Sequence, residues 1–444
     1  MRSNRPLGEI LRSAHASIPL FGKSVILTSL TIVDSAVTSD ASGTAGRTAR
    51  IVRSINEIPA AAWNACANPG APISDNPFLE YGFLHALEAS GSATSRTGWQ
   101  PFHLVLEENK SIVGVVPMYM KNHSRGEYVF DNGWADAWHR AGGRYYPKLQ
   151  VSVPFTPATG RRLLARADVS QEETERQLLA ACVQIAKQTD VSSLHLTFLP
   201  ESQWRDAEQL GLLQRVDQQF HWHNHQYSTF DDFLADLASK KRKNLKRERR
   251  EVIDAGIDIE WVTGSDIREH HWDAFFDFYT DTGNRKWGSP YLTRRFFSLV
   301  TQAMADRILL IMCKRNGRYI AGALNFIGSD ALYGRNWGCI EDHRFLHFEA
   351  CYYQAIDFAI SRKLDRVEAG AQGPHKVARG YVPQTTYSAH WIADAGLREA
   401  IARYLKEERN YVQQDIDYLN EHTPFRSDLQ IDAVNASSAD PESR

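Results

Sequence analysis

Two stretches of the chain follow the same order of hairpin, strand, helix and strand, and this repetition constrains the fold most. The first copy opens with apolar runs at 102–107 and 112–119, and the second with apolar runs at 308–313 and 319–326. In each copy a short polar turn separates the two runs, which is typical of a β-hairpin. An order of elements that recurs in this way predicts two copies of one α/β unit.

The elements after each hairpin are also alike. They are an aromatic, glycine-containing segment at 128–154, a helix at 172–189 and a strand at 193–199 in the first copy, and a strand at 332–337, a helix at 348–363 and a strand at 366–369 in the second. We expect Gly338 to end the strand that precedes it. Hairpins combined with strand, helix and strand predict a mixed sheet with helices on its faces.

The chain divides into four predicted parts. They are a flexible N-terminal extension at 1–50, a first domain at 51–215, a second domain with the candidate active site at 216–425, and a loose tail at 426–444. A C-terminal helix is expected at 397–420. The extension is assigned because residues 35–49 are rich in Ser, Thr, Ala, Gly and Asp without periodicity.

Charge and cysteine content exclude several classes of protein. With a formal net charge of -2, no whole-molecule field attracts nucleic acid or an anionic membrane. The five cysteines are scattered and lack C-x-x-C spacing, which argues against a disulfide framework and a zinc site. The apolar run at 24–33 is far shorter than the roughly 20 residues that a membrane helix needs. We therefore expect a cytoplasmic protein with no transmembrane segment and no metal.

Polar and aromatic side chains collect where the strand at 332–337 gives way to the next helix. The strand carries Arg335 and Trp337, and the helix begins near His347 and Glu349. Ligands of α/β sheets bind outside the carboxyl ends of strands, and helix N-termini attract anions. We expect this junction to bind substrate, whereas the neighbouring Tyr352 belongs to the apolar stripe of the helix.

A second group of candidate residues follows the strand at 366–369. Glu368 emerges at the end of this strand, and a glycine-containing loop comes directly after it. The polar residues of the loop are Gln372, His375, Lys376 and Arg379. Lysine and arginine suit phosphate or carboxylate, although a solvated surface turn would have a similar composition. The density of these residues beside Glu368 favours a site.

A basic run lies in a helix predicted from Thr229 to Ala255. Between Lys240 and Arg250 eight of eleven residues are basic, Lys243 and Arg247 among them. One interpretation is a surface helix whose basic end complements the helix dipole. The other is a binding face for phosphate, carried by coenzyme A, an acceptor-stem RNA or lipid headgroups.

Three histidines alternate along a second candidate segment, His221 to His225. Alternation would place His221, His223 and His225 on one face of a strand. No carboxylate or thiol lies near them in the sequence, which disfavours a metal site. We expect an exposed or substrate-facing strand.

Long motifs in both halves resemble the FemAB-like predicted N-acyltransferases, which are described as peptidoglycan biosynthesis/recognition proteins of the GNAT superfamily. The motifs are Glu-Ala-Gly-Ala-Gln-Gly-Pro-His-Lys-Val-Ala-Arg-Gly-Tyr-Val-Pro at 368–383, Leu-His-Phe-Glu-Ala-Cys-Tyr-Tyr-Gln at 346–354, Asn-Pro-Phe-Leu-Glu at 76–80 and Tyr-Pro-Lys-Leu-Gln-Val-Ser-Val-Pro-Phe-Thr-Pro at 146–157. The resemblance covers about residues 51–425. It implies an α/β (α+β mixed sheet) fold of two tandem GNAT-type acyl-CoA N-acyltransferase domains.

The chain departs from related proteins in two places. Of the usual pyrophosphate loop of GNAT enzymes only the fragment Arg335–Gly338 is present. The long helical arm of tRNA-dependent Fem enzymes is absent, unless the helix at 229–255 replaces it. In those distant Fem transferases a glycine-bearing strand end precedes a lysine-containing loop, and the resemblance places Glu368–Gly370 and Lys376 there.

The expected activity is transfer of an acyl group from an acyl-CoA donor to an amine acceptor. Such a reaction needs a base for the amine and an acid for the leaving group. Glu368 or His347 is the expected base, with Glu349 as an alternate or orienting partner, and His375 or Tyr381 is the expected acid. Lys376 and Arg379 would hold donor phosphates or an acceptor carboxylate.

Two other functions are compatible with the sequence. One is an aminoacyl-tRNA-dependent transferase acting on a peptidoglycan precursor, with tRNA or a lipid-linked precursor bound through Lys240–Arg250. The other is a non-catalytic module that binds cell-wall precursors through the aromatic residues of the first half. Those residues are Trp134, Trp138, Tyr145 and Tyr146. The oligomeric state does not follow from the sequence.

Overall fold

The computed structural model describes residues 30–32, 46–70, 75–286, 290–370 and 373–426. They form two compact units. The first unit comprises the described residues up to Asp217 together with 291–303 and 386–412, and the second comprises 218–290, 304–385 and the remainder after 412. The chain therefore returns twice to the first unit. The sequence-based ranges, which treat each domain as continuous, stay a prediction.

The described strands alternate with helices along most of the chain. The strands are β1 (Leu30–Ile32), β2 (Arg47–Val52), β3 (Trp99–Pro101), β4 (His103–Glu108), β5 (Ser111–Val116), β6 (Met118–Lys121), β7 (Lys148–Val151), β8 (Leu164–Ala165), β9 (Ser193–Leu199), β10 (Leu213–His223), β11 (Ile257–Thr263), β12 (Ile308–Arg315), β13 (Arg318–Ile327), β14 (Ala331–Cys339), β15 (Arg366–Glu368) and β16 (Val382–Ile392).

Helices cover the apolar faces of these strands. The α-helices are α1 (Ala60–Ala67), α2 (Tyr81–Ala89), α3 (Asn132–Arg140), α4 (Gln171–Gln188), α5 (Glu201–Gln209), α6 (Phe230–Asp236), α7 (Ser239–Asp254), α8 (Glu269–Lys286), α9 (Arg294–Met304), α10 (Leu346–Phe348), α11 (Gln354–Ser361) and α12 (Ala395–Glu421). A π-helical turn, Glu349–Tyr353, joins α10 to α11. None of the helices in the described ranges is long and apolar enough to cross a membrane.

Both predicted hairpins are present, and their turns explain why the pattern repeats. The two-residue turn of β4 and β5 has φ of 51° at Asn109 and 64° at Lys110, and that of β12 and β13 has 51° at Asn316 and 75° at Gly317. Two consecutive positive φ angles match the right-handed twist of the flanking strands, as in a type I′ turn. The polar turns read from the sequence are thus confirmed.

The first unit contains two groups of paired strands. One is antiparallel in the order β1-β2-β4-β5-β8. The other runs β3-β6-β7-β9 and continues to the 386–392 part of β16, with β7 and β9 parallel and the remaining pairs antiparallel. Its apolar core includes Leu149, Leu196 and Leu178, the last contributed by α4.

The second unit repeats this arrangement. Its strands run β11-β12-β13-β14-β15 and end on the 218–223 part of β10, with β14 and β15 parallel and the other pairs antiparallel. In both units a hairpin therefore precedes a parallel pair, and an antiparallel strand follows that pair. The expected fold class, an α/β mixed sheet in two tandem GNAT-type domains, is confirmed.

The prediction that Gly338 ends its strand is wrong. The strand β14 continues to Cys339, with Gly338 opposite Gly322 of β13. A β-carbon added at Gly338 would lie 2.3 Å from the carbonyl carbon and oxygen of Phe278 in α8. Only glycine, which has no β-carbon, allows the backbone of α8 to approach the sheet this closely at position 338.

The single helix predicted from Thr229 to Ala255 is two helices. Between α6 and α7, Leu237 is extended and forms an isolated bridge with Phe425. The backbone N–H of Ala238 donates to the carbonyl of Pro424 at 2.9 Å. The strand-like bridge takes the backbone groups that a continuous helix would have used.

Candidate functional site

The predicted base, Glu368, ends β15 and faces side chains of the two strands that flank it. It lies opposite Tyr333 of the parallel strand β14 and opposite His221 of the antiparallel strand β10. All three side chains are buried: Glu368 is 4% exposed, Tyr333 3% and His221 4%. The carboxylate is therefore held at a carboxyl strand end of the second unit, where α/β proteins bind ligands.

Only one oxygen of this carboxylate is paired. Arg366 donates from Nε to Oε1 of Glu368 at 3.0 Å, and its NH1 donates to Asp330 at 2.6 Å. Oε2 of Glu368 has no hydrogen-bond partner among the described residues. Burial raises the pKa of Glu368, and the charge of Arg366 opposes this shift only in part. The site thus holds a carboxylate with one free oxygen and an enhanced affinity for a proton.

His221 lies beside the free oxygen. Its Nε2 lies 3.8 Å from Oε2 of Glu368. Burial, together with the charges of Arg366 and Lys376, lowers the pKa of His221 to about 3. The ring is therefore neutral near pH 7, and the contact is not an ion pair.

The loop after β15 folds into a short 3₁₀ helix, Pro374–Arg379. Lys376 points back to the strand and donates from Nζ to the carbonyls of Ala369 at 2.6 Å and Gly370 at 3.0 Å. It is 3% exposed, and burial lowers its pKa to about 8. Lys376 was expected to hold an anion, but here its ammonium caps the end of β15.

Arg379 lies in the same loop and is bound to α7. Its NH2 donates to both carboxylate oxygens of Glu248, at 3.1 and 3.0 Å, and its NH1 donates to the carbonyl of His375. The guanidinium lies 3.4 Å from the centre of the Phe348 ring. Tyr353 of the π-helical turn donates to the same Glu248 carboxylate. Arg379 therefore anchors the loop to α7 and α10.

The more accessible part of the candidate region is an aromatic cluster. The ring of His347 packs edge-on against Trp337 and Tyr352, with centroids 5.4 Å apart in both pairs. His375 is exposed, and its Nε2 lies 3.0 Å from the hydroxyl of Tyr352. Burial and the charges of Lys376 and Arg379 lower the pKa of His375. A neutral imidazole thus shares a hydrogen bond with a phenol beside a half-buried histidine.

Glu349 belongs to a separate network in the π-helical turn. Its Oε1 accepts from Arg249 of α7 at 3.0 Å and from Gln354 at 2.7 Å. Arg249 also donates to Asp357 at 2.6 Å. Burial raises the pKa of Glu349, which Arg249 opposes. These bonds orient the turn that carries Tyr352 and Tyr353, and π-helical turns occur frequently at functional sites.

The other expected site residues are dispersed. Tyr381 is completely buried, with its hydroxyl 3.4 Å from the carbonyl of Tyr352. Arg335 is half-buried on β14. Lys243 and Arg247 are exposed on α7, and Nε of Arg247 lies 3.7 Å from Glu251. Gln372 lies outside the described residues.

Two contributors were not assigned from the sequence. His221 belongs to the histidine segment that alternation identified, but its partner Glu368 lies far along the chain, so the pairing has no local signal. Glu248 is the sole acid between Lys240 and Arg250. A lone carboxylate in a basic run is a signal that could have been used, because a buried arginine elsewhere must find a counter-charge.

Comparison with known proteins places these features in a family. A model of FemAB-like proteins, described as peptidoglycan biosynthesis/recognition, matches residues 54–427. No curated protein matches the chain.

Solved structures of low sequence identity are also similar. The crystal structure of FemX is 12% identical with a TM-score of 0.49, and the match covers 80% of this chain and 100% of FemX. The C-terminal domain of a putative lysylphosphatidylglycerol synthetase from Agrobacterium fabrum is 8% identical with a TM-score of 0.48, covering 80% and 97%. A tandem GNAT protein from the clavulanic acid biosynthesis pathway is 10% identical with a TM-score of 0.43, covering 78% and 98%.

Proposed function

Because the chain belongs to the FemAB-like family of peptidoglycan biosynthesis/recognition proteins, we propose that its second unit transfers an acyl group from an acyl-CoA donor to an amine acceptor. In this proposal the amine nitrogen attacks the thioester carbonyl carbon. A C–N bond forms, the C–S bond breaks, and the thiolate leaves with a proton.

The observation that carries the proposal is the free oxygen of Glu368. A buried carboxylate at a strand end, with Oε2 unpaired, can accept a hydrogen bond from the acceptor's ammonium and then its proton. A base works best when its pKa lies near the operating pH, and burial shifts the pKa of Glu368 in that direction. We assign Glu368 as the base. His347 remains the alternative, since it is half-buried in the aromatic cluster.

The acid is assigned to the hydrogen-bonded pair of Tyr352 and His375. Their hydroxyl and imidazole nitrogen lie 3.0 Å apart. His375 precedes Lys376, whose ammonium binds the carbonyls directly after Glu368, so His375 belongs to the loop attached to the base. Tyr352 reaches it from the π-helical turn. A proton that leaves Tyr352 for the thiolate can be replaced through His375.

Recognition of the donor's phosphates is assigned to exposed cations. Lys376 and Arg379 already bind backbone carbonyls and Glu248, whereas Lys243 and Arg247 of α7 are exposed. An exposed basic face suits a phosphate without first breaking a buried pair. We therefore place donor recognition on α7 rather than on the loop.

A matched pair of variants tests the assignment of the base. Glu368→Gln removes the base while keeping its shape, and Glu251→Gln removes a more exposed carboxylate of α7. With short acyl-CoA donors and a panel of free amines, release of the CoA thiol should fall at least about 100-fold in Glu368→Gln alone. Equal turnover of both variants would reject Glu368 as the base. If no donor is turned over by the unmodified protein, acyl-CoA is not the donor.

The exposed basic face of α7 favours a second candidate, an aminoacyl-tRNA-dependent transferase. Lys243, Lys246, Arg247 and Arg250 are exposed on it. A face of this kind binds phosphates without reading sequence. Tight binding of tRNA together with failure of all acyl-CoA donors would favour this candidate over the first.

A further inference from the structure

The first unit contains a sheet face that is polar yet buried. On β6, β7, β9 and the 386–392 part of β16, alternate residues pack into the apolar core, and the intervening ones are polar. The polar set, each member at most 4% exposed, is Tyr119, Lys121, Lys148, Gln150, Ser193, His195, Thr197, Ser388 and His390. Burying so many polar groups is costly unless every one is hydrogen-bonded.

This face matches the position of Glu368 in the second unit. In the first unit His195 pairs with Gln150 of a parallel strand and with His390 of an antiparallel strand. In the second unit Glu368 has Tyr333 and His221 in the corresponding places. The repeated fold thus places polar side chains at the same three register positions in both units.

Two lysines occupy paired positions on this face. Lys121 lies opposite Lys148, an arrangement that is unfavourable without counter-charges. Nζ of Lys148 donates to Ser124, Glu127 and Asp131, which uses all three protons of its ammonium. Nζ of Lys121 donates to the carbonyl of Arg125 at 3.3 Å and lies 3.6 Å from the Trp99 ring centre. The cations of this face are therefore largely engaged.

Several acceptor oxygens of this face, in contrast, are not engaged. Oε1 of Glu127, Oδ1 of Asp131 and Oε1 of Gln150 are buried and have no hydrogen-bond partner among the described residues. Nζ of Lys121 lies 3.7 Å from Oε1 of Glu127, which makes an ion pair but is too far for a hydrogen bond. The hydroxyls of Tyr119 and Ser152 are also buried and unpaired. The face therefore has an excess of acceptors, which favours an occupant that donates hydrogen bonds and disfavours an anion.

These unpaired atoms belong to neighbouring positions. Tyr119 and Gln150 are cross-strand partners, and Ser152 is two residues beyond Gln150, directly after the end of β7. Glu127 and Asp131 are held beside Gln150's strand by Lys148, which lies two residues before it. The unpaired acceptor oxygens equal in number the three N–H donors of one ammonium group, and the two hydroxyls can donate to the rest of a ligand.

We propose that this buried polar face of the first unit is a second ligand-binding site, and that its ligand carries a primary ammonium group. The site is independent of the chemistry assigned to the second unit. A free amino acid or amino sugar has the required combination of an ammonium group with acceptor atoms.

Paired probes test the site in the full chain. L-alanine, L-lysine and D-glucosamine are each compared with the derivative acetylated on every amine, which removes the ammonium but keeps the remainder. At least one free amine should raise the unfolding midpoint by about 5 °C at a hundredfold excess over its Kd, whereas its acetylated form should not. No shift with any free amine, or equal shifts with both forms, would overturn the proposal.

Variants locate the effect. Ser152→Ala removes an unpaired hydroxyl, and Gln150→Leu removes the unpaired Oε1 together with the hydrogen bond from Nε2 to Thr197. Neither change touches the lysine pairs, so both should fold, and Gln150→Leu should weaken amine binding at least about tenfold. Glu368→Gln should keep the full shift even where it abolishes acyl transfer, which separates this site from the proposed active site. A crystal structure grown with the shifting amine that shows only water on these five atoms would also refute the site.

Discussion

Nε2 of His221 lies 3.8 Å from Oε2 of Glu368, and the two residues are cross-strand partners on β10 and β15. The ring is neutral near pH 7 because burial lowers its pKa to about 3, while burial raises the pKa of the carboxyl group. Since burial disfavours the charged form of both groups, the contact is not an ion pair near pH 7. Its consequences can be measured.

Stability should depend on pH through Glu368. Its folded-state pKa is raised above the unfolded value of 4.5, so the folded protein holds the proton over the interval above pH 4.5. Stability therefore falls as pH rises through that interval, with a slope of up to about 1.4 kcal/mol per pH unit for one group. The variant Glu368→Gln lacks this pH dependence, because its amide does not titrate.

Urea unfolding of the unmodified protein and Glu368→Gln between pH 4.5 and 8 isolates the contribution of Glu368 to the free energy of unfolding. Groups whose titration does not depend on Glu368 contribute equally to both proteins and cancel in the difference. The variant should gain relative stability as pH rises. If the unmodified protein gained instead, the charge of Arg366 would outweigh burial, and the folded pKa of Glu368 would be depressed.

Replacing His221 should alter the pH profile of catalysis more than its maximum. His221→Gln puts a polar amide beside Oε2 of Glu368, which can donate a hydrogen bond to the ionised form. The pKa of Glu368 should then fall, and the acid limb of the rate profile should move to lower pH. A uniform loss of rate at every pH would indicate a structural role only.

Glu248 should be the most important carboxylate of α7 for stability. It binds Arg379 and Tyr353 and is 8% exposed. Glu248→Gln leaves a buried arginine without a counter-charge, which costs about 3 kcal/mol. The matched change Glu251→Gln, on the same helix, removes only surface contacts and should cost less than about 1 kcal/mol. Chemical denaturation of both variants gives the comparison, and equal losses would contradict it.

Adding one methyl group at Gly338 should destabilise the second unit. The new β-carbon would meet the backbone of Phe278, which cannot rotate away as a side chain would. We expect a loss of about 1–3 kcal/mol, as for other overpacked sites. Gly133→Ala is the control, because this glycine lies exposed in α3 with open space at its β-carbon. That change should stabilise by about 0.5–1 kcal/mol.

The basic face of α7 should act on binding and not on folding. Lys243→Ala and Arg247→Ala are exposed changes, so each should alter stability by less than about 0.5 kcal/mol. If tRNA is the donor, each lost phosphate contact should reduce the slope of log affinity against log salt by about 1. Filter binding over a range of salt concentrations measures this slope, and an unchanged slope in both variants would exclude this face.

Local signals in the sequence were sufficient for the repeated framework. The second hairpin, the helix at 171–188 and the strand at 193–199 were predicted within about two residues, because each has a clear period and polar boundaries. The run at 112–119, predicted as one strand, is divided between β5, which ends at Val116, and β6, which begins at Met118. The helices α8 and α9 and the strand β16 were not predicted. The apolar residues of α9 do recur at helical spacing, with Phe296, Phe297 and Val300 buried, so its sequence contains a usable signal.

Within the candidate region, the sequence identified residues better than their partners. It placed Glu368 at a strand end, as the structure does, and it assigned Lys376 and Arg379 to ligands, which stays a prediction. The partners that occupy those cations are two backbone carbonyls and Glu248, which lies more than a hundred residues away along the chain. Pairing over such a distance depends on the fold, so no local pattern records it.

The aromatic residues of the first half show the same limitation. A recognition surface was expected from Trp134, Trp138, Tyr145 and Tyr146, yet Trp134 is 2% exposed and Tyr145 is completely buried. The hydroxyl of Tyr145 instead donates to Asp131 at 2.7 Å. The aromatic content suggested a recognition surface, but it did not show that Trp134 and Tyr145 would be buried inside the fold.

The helix α7 has two different sides, and this has a consequence for regulation. Its exposed side carries Lys243 and Arg247, while its inner side binds the candidate region through Glu248 and Arg249. An anion that shifts the helix on binding must also shift the loop that ends at Arg379. Thermodynamic linkage makes such an effect mutual, so occupation of the aromatic cluster would change the affinity of the outer side by the same factor.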